Sequence, residues 1–105
     1  MYKFFNLNKI NLLLAIFLCC GQIVLAQKVS VNSTIVDVEN EPIIGATILE
    51  KGTSNGTVSD YDGNFTLDVG VENTIQISYV GYISIELNVN TVPNLIVMHE
   101  DEATL

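Results

Sequence analysis

Residues 52–67 read Gly-Thr-Ser-Asn-Gly-Thr-Val-Ser-Asp-Tyr-Asp-Gly-Asn-Phe-Thr-Leu, two turn signals set around one short strand. Asn55-Gly56 is a two-residue hairpin signal, because both residues tolerate the positive φ that a type I′ turn demands. Asp60 to Gly63, with Asp62 inside it, reads as a type I turn. An Asp at the first position accepts from the backbone ahead, and Gly at the fourth takes the left-handed conformation. Beyond it Phe65, Leu67 and Val69 alternate with Asn64, Thr66 and Asp68, the period of a strand with one buried face. The centre of the chain is a tight antiparallel meander.

The flanks continue the pattern. Val29 to Val38 is β-rich, and its parity becomes ambiguous at Ser33-Thr34, which predicts a bulge or burial on both faces. Asp37 to Pro42 reads as a turn with Asn40 left-handed. Further strands are expected at Ala46 to Glu50, Thr57 to Ser59, around Ile75 and Ile77, at Tyr82 to Val89 and at Leu95 to Met98, with Gly81 as a turn residue before the sixth. Seven short strands with turn residues between them predict an all-β chain, a seven-stranded antiparallel β-sandwich. Its expected core is Ile35, Ile48, Phe65, Leu67, Ile75, Ile77, Ile83, Ile85 and Leu87. A small closed barrel is the alternative that strand count leaves open.

The first residues read differently. Lys3 and Lys9 precede an apolar run from Ile10 to Leu18, and Val24 and Ala26 occupy the small-residue positions of a cleavage site. Residues 1–26 are therefore expected to be a helical signal peptide, and the run is shorter than the ~20 residues of a membrane span. Both cysteines lie within it, so residues 27–105 offer no disulfide, thiolate metal site or thiol nucleophile. All twelve acidic residues follow it, opposed by Lys28 and Lys51 alone, for a net charge of −10 with histidine neutral. That balance excludes nucleic acid as a partner, since binding it needs a Lys/Arg face. It also repels an anionic membrane surface.

Few residues suggest chemistry. Asp60-x-Asp62-Gly63-Asn64 resembles a calcium loop, but it lacks the twelfth-position Glu and flanking helices of an EF-hand, and a plain turn is the better reading. His99 has no second ligand or orienting group in the sequence, and Ser59 and Ser78 have no base beside them. No catalytic residue, metal site or cofactor is assigned. Tyr61, Tyr79 and Tyr82 are the candidate contacts for a ligand or partner. Packing is the simpler role for two of them, with Tyr79 turned inward and Tyr82 capping the sandwich edge.

Several motifs together resemble a known family: Glu41-Pro42-Ile43-Ile44-Gly45-Ala46-Thr47, Lys51-Gly52-Thr53-Ser54-Asn55-Gly56-Thr57-Val58-Ser59-Asp60, Asp62-Gly63-Asn64-Phe65 and Ser78-Tyr79-Val80-Gly81-Tyr82. In order and spacing they are similar to the carboxypeptidase-regulatory-like (transthyretin-like) domain. The variety they resemble stands at the N-terminus of SusC/RagA-type TonB-linked outer-membrane receptors of Bacteroidota, which import glycans and peptides. Ser33 and Asn40 depart from it, standing where the family often has glycine. The resemblance implies residues 27–99 as the domain and 100–105 as an acidic tail or the start of a linker. It further implies a non-enzymatic accessory domain on the periplasmic side of the outer membrane. Its expected partners are a receptor's plug and barrel, and the TonB system. A chain of this length holds no barrel, so a receptor fragment is expected. The alternative is a stand-alone exported module that binds a glycan or cell-wall fragment.

Overall fold

The computed structural model describes residues 27–104; the signal peptide expected over 1–26 lies outside them. Seven strands follow in chain order: β1 (Lys28–Val36), β2 (Thr47–Glu50), β3 (Gly56–Val58), β4 (Asn64–Gly70), β5 (Thr74–Ser78), β6 (Ile85–Asn88) and β7 (Leu95–Val97). Two 3-10 turns, Val89–Thr91 and Glu102–Thr104, complete the described elements. A three-stranded sheet, β4-β1-β7, faces a four-stranded sheet, β3-β2-β5-β6. The fold is a β-sandwich as expected, with its sheets separate rather than closed into a barrel.

Every strand pair is antiparallel except one. β7 runs parallel to β1, with Thr34, Ile35 and Val36 opposite Leu95, Ile96 and Val97. Connection length accounts for this. β6 runs antiparallel to β5 and brings the chain to the end of the sandwich where β1 begins. The connector at 89–94 crosses to the other sheet there, so the next strand must run the way β1 runs.

Side-chain period sets the core. In β4, Phe65, Leu67 and Val69 are buried while Asn64, Thr66 and Asp68 are exposed; in β5, Ile75 and Ile77 are fully buried. They meet Ile35, Ile48, Val31 and Ile96 in one cluster, where each such side chain contributes about 1.5–3 kcal/mol by leaving water. Ile85 and Leu87 pack against the cluster only partly, because β6 is an edge strand. Ile83 is a correction: it is 52% exposed. The expected sixth strand starts three residues early, and Ile83 instead lies in the approach to β6, its N–H donating to the carbonyl of His99 (2.8 Å). At the other end the chain leaves the ladder at Val89, which is buried inside a 3-10 turn that Asn88 caps by accepting from the Asn90 N–H (2.9 Å). β1 needs no bulge against β4, since its register is one-to-one from Lys28 to Thr34; burial on both faces comes at Ile35 and Val36.

The two turns around β3 differ from one another. Asp60 to Gly63 closes with the Gly63 N–H donating to the Asp60 carbonyl (2.9 Å), Asp60 Oδ1 accepting from Asp62 N–H and Asn64 N–H, and Gly63 at φ +79°. Asp37 to Glu41 repeats it: Asp37 Oδ1 accepts from Glu39 and Glu41 N–H, and Asn40 sits at φ +64°. Asn55-Gly56, by contrast, is not the expected type I′ turn, and neither residue has positive φ. The bend falls earlier, at Glu50 to Thr53, with Gly52 at φ +83°. Gly56 already belongs to β3, where a Cβ would stand 2.8 Å from the Ile48 carbonyl oxygen. A tertiary contact overrides the local turn preference: the Asn55 side-chain amide donates to Glu50 Oε1 (2.9 Å) and to the Asp68 carbonyl (2.7 Å).

Candidate functional site

The sandwich has two chemically different ends. At one, the carboxylate of Glu50 is enclosed without a cation in hydrogen-bond contact. Oε1 accepts from Asn55 Nδ2, and Oε2 accepts from Asn73 Nδ2 (2.6 Å) and the Gly70 N–H (3.1 Å). The side-chain bonds from Asn55 and Asn73, then the Gly70 N–H, hold its pKa below the usual carboxylate range, because each donor favours the charged form. Lys28 and Lys51 belong to this end, with Lys51 Nζ 3.0 Å from Glu86 Oε1. Four residues, from β2, the end of β4 and two loops, build this network. Its components lie up to 23 positions apart, so no local motif announces it.

The opposite end gathers the turns at 37–42, 60–63 and 79–84 with the segment that follows β7. That segment does not leave the sandwich: Tyr82 bridges to Glu100, and the Asp101 N–H donates to the Gly81 carbonyl (2.8 Å). Tyr79 and Tyr82 meet here, ring centroids 5.7 Å apart and planes tilted by 54°. Their expected roles are exchanged. β5 stops at Ser78, and a turn closed by Tyr82 N–H to Tyr79 C=O (3.1 Å), with Gly81 at φ +86°, throws Tyr79 outward while Tyr82 packs against the core. Tyr79 is 39% exposed. Tyr61 is 84% exposed on the Asp60 turn, and among the described residues no ring contact joins it to the pair.

A cleft of about 120 Å³ opens beside Tyr82, lined by Asp37, Val38, Glu39, Met98 and Glu100. Burial first, then the nearby Glu100 and Asp37 carboxylates, push the Tyr82 phenol above its ordinary value, so it stays a neutral donor at neutral pH. A shallower hollow of about 280 Å³ lies along Gly45, Thr47, Ser78, Tyr79 and Val80. Ser59 is not a nucleophile in this arrangement. Its buried Oγ donates to the Ile43 carbonyl (2.6 Å) and accepts from the Ala46 N–H (2.9 Å), tying β3 to the loop before β2. His99 is exposed. Among the described residues, no three His, Cys, Asp or Glu side chains are placed to hold a metal ion, and no helix is long and apolar enough to cross a membrane.

Comparison with known proteins agrees with this geometry. A chain of the Coh3ScaB-XDoc_M2ScaA complex, a type II cohesin–X-dockerin assembly from Acetivibrio cellulolyticus, superposes with a TM-score of 0.51 at 24% identity. The match covers 66% of this chain and 56% of that one and shows the likeness of fold. The TonB-dependent receptor SusC of Bacteroides thetaiotaomicron is 39% identical over 77 residues, which is 73% of this chain and 8% of the receptor. TonB-dependent receptor P3 of Formosa agariphila is 34% identical over 98 residues, 90% of this chain and 10% of the receptor. The chain thus spans about a tenth of the length of these curated relatives. The family model of the CarboxypepD_reg-like domain matches residues 31–105, and the chain belongs to that family.

Proposed function

We propose that this chain acts as a non-enzymatic accessory domain on the periplasmic side of a TonB-dependent outer-membrane receptor for glycan or other nutrient import, as the piece that precedes plug and barrel. The observation that carries this reading is the 39% identity to such a receptor across 73% of the chain. The fold suits the role. Turns and strand ends offer protein-contact surface, and the serines and carboxylates with the best-defined geometry are consumed by backbone contacts. Its work is docking, by surface complementarity and by addition of a strand to an exposed sheet edge.

The test is made in the native host, with an epitope tag on the chain. The expected result is recovery in the outer-membrane fraction, export having removed residues 1–26, with co-purification of a plug-and-barrel polypeptide in mild detergent. Recovery in the cytoplasm, or in the periplasm without any receptor polypeptide, refutes the proposal. A second reading, a glycan or cell-wall fragment held by Tyr61, Tyr79 and Tyr82, draws on the adjacent Tyr79–Tyr82 rings. Amide shifts confined to those tyrosines on titration with oligosaccharides would support it, and their absence at millimolar sugar would remove it.

A further inference from the structure

The end of the sandwich around Tyr82 combines three features that a solvated terminus does not need. The first is apolar exposure in its loops: Val38 is 66% exposed, Val80 93%, Ile83 52% and Ile44 48%. Single exposed apolar residues are ordinary, but several gathered on adjoining loops mark an interaction surface. The second is charge. The turns 37–42 and 60–63 and the segment 99–102 carry eight of the twelve carboxylates of the chain, while both described lysines sit at the other end. The third is the cleft itself, lined by Tyr82 and Met98 together with three acidic residues, Asp37, Glu39 and Glu100.

These features choose among occupants. A second copy of the same surface is repelled, since it brings the same carboxylates. An anionic lipid surface is repelled for the same reason. A divalent metal ion needs carboxylate oxygens converging at about 2.3–2.6 Å for calcium, and no such cluster exists among the described residues. A planar or flexible organic cation fits instead. The cleft holds roughly four water volumes, the space of a guanidinium head, and an aromatic face with carboxylates around it supplies cation–π attraction and charge-assisted hydrogen bonds together. Asp37 has already committed Oδ1 to its own turn, which fixes its carboxylate in place at the cleft.

We propose that this pole is the docking surface for a basic polypeptide segment of a partner protein, with one arginine or lysine side chain entering the cleft beside Tyr82 and neighbouring apolar side chains covering Val38, Val80 and Ile83. The inference rests on reading the chain as a docking domain and names the partner's chemistry. Arginine is preferred to lysine, because its fork engages two carboxylates at once and stacks on the ring.

The probe is the peptide Ac-Arg-Leu-Arg-Leu-Arg-NH2, titrated into the isotope-labelled exported protein and followed by amide shifts. The expected result is saturable shifts at Val38, Glu39, Tyr82 and Glu100, a lysine counterpart that binds more weakly, and a glutamate counterpart that does not bind. Binding weakens as salt rises. The double variant Glu39→Gln/Glu100→Gln binds about tenfold more weakly, each partly exposed charge pair being worth a few-fold. Folding of that variant is checked by the unchanged dispersion of amides at the Glu50 end. Shifts spread over both ends, equal binding by the glutamate peptide or by the double variant, or the same shifts with calcium chloride alone would overturn the proposal. A chain that fails this titration yet still fractionates with an outer-membrane receptor loses only the docking surface. A chain that binds the peptide without any receptor loses only the receptor reading.

Discussion

Replacing Ser59 by alanine removes one oxygen atom and no other bulk, so it isolates a hydrogen-bonding contribution. Ser59 is 3% exposed, and its Oγ serves backbone groups of two buried residues, the carbonyl of Ile43 and the N–H of Ala46. Without the hydroxyl both groups keep their desolvation cost and lose their partner, at about 1–3 kcal/mol for each such group. Backbone bonds from Gly45 N–H to Ser59 C=O (3.0 Å) and from Ser59 N–H to Ala46 C=O (2.9 Å) hold the strands in register, so relaxation cannot re-pair them. The expected loss for the two groups together is about 2–6 kcal/mol. A domain of this size has only ~4–12 kcal/mol in total, so the fall is large: a drop of roughly 15 °C in melting temperature for a loss of 2–3 kcal/mol. Urea unfolding followed by far-UV circular dichroism measures it, and Ser59→Thr, which keeps the hydroxyl, is the control for the site. A loss below about 0.5 kcal/mol, the level of an ordinary surface change, would refute the claim that this hydroxyl clamps the two segments.

Other outcomes follow from the same geometry. Gly63 and Gly81 both have positive φ, but a Cβ at Gly63 would collide with the Ile35 carbonyl oxygen and one at Gly81 meets nothing within 4 Å. Gly81→Ala is expected to cost about 1–2 kcal/mol, the handedness penalty alone, and Gly63→Ala clearly more, as equilibrium unfolding will measure. Ile77→Ala opens a cavity in the centre and costs about 2–5 kcal/mol, whereas Ile83→Ala stays within about 0.5 kcal/mol; equal costs would contradict the placement of Ile83 outside the core. Glu50 has a folded-state pKa below its unfolded value, so its stabilisation is complete above the unfolded value and is lost as pH falls through the folded one. Acid titration of stability should therefore be less steep in Glu50→Gln than in the native chain, and Glu50→Gln should be the less stable of the two at neutral pH.

Much of this was readable because the relevant physics is local. Strict alternation in Asn64 to Gly70 gives β4 and its buried face, and an Asp followed three residues later by Gly or Asn gives the turns at 60 and 37. The failures share one cause, which is that a distant partner decided the outcome. Asn55-Gly56 has the local preference of a hairpin turn, but the amide of Asn55 is drawn to Glu50 and Asp68, and the bend moves to Gly52. Tyr79 continues the parity of Ile75 and Ile77, but β5 ends one residue sooner, and outward becomes inward for its neighbour Tyr82. The direction of β7 leaves no trace in Leu95-Ile96-Val97, since parallel and antiparallel edge strands alternate alike. It follows from where β6 ends. The cleft at Tyr82 draws on residues from three segments, Asp37 to Glu39, Tyr82 and Met98 to Glu100, brought together by the pairing of 81–83 with 99–101 and by the continuation of the β1–β7 pairing from Val36 to Met98.

The distribution of charge then separates solubility from recognition. A chain that needs negative charge only to remain dispersed can spread it over both ends and both sheet faces, where mutual repulsion is least. Here the Glu50 end gives its buried carboxylate three donors and lies near both lysines. The opposite end carries eight carboxylates on adjoining turns, and neither of the two described lysines lies there. Like charges on adjoining turns repel one another, and the same end of the sandwich exposes Val38, Val80 and Ile83. Folding alone gains nothing from the combination. A basic, partly apolar partner of the kind proposed would relieve the repulsion and cover the exposed side chains in a single step.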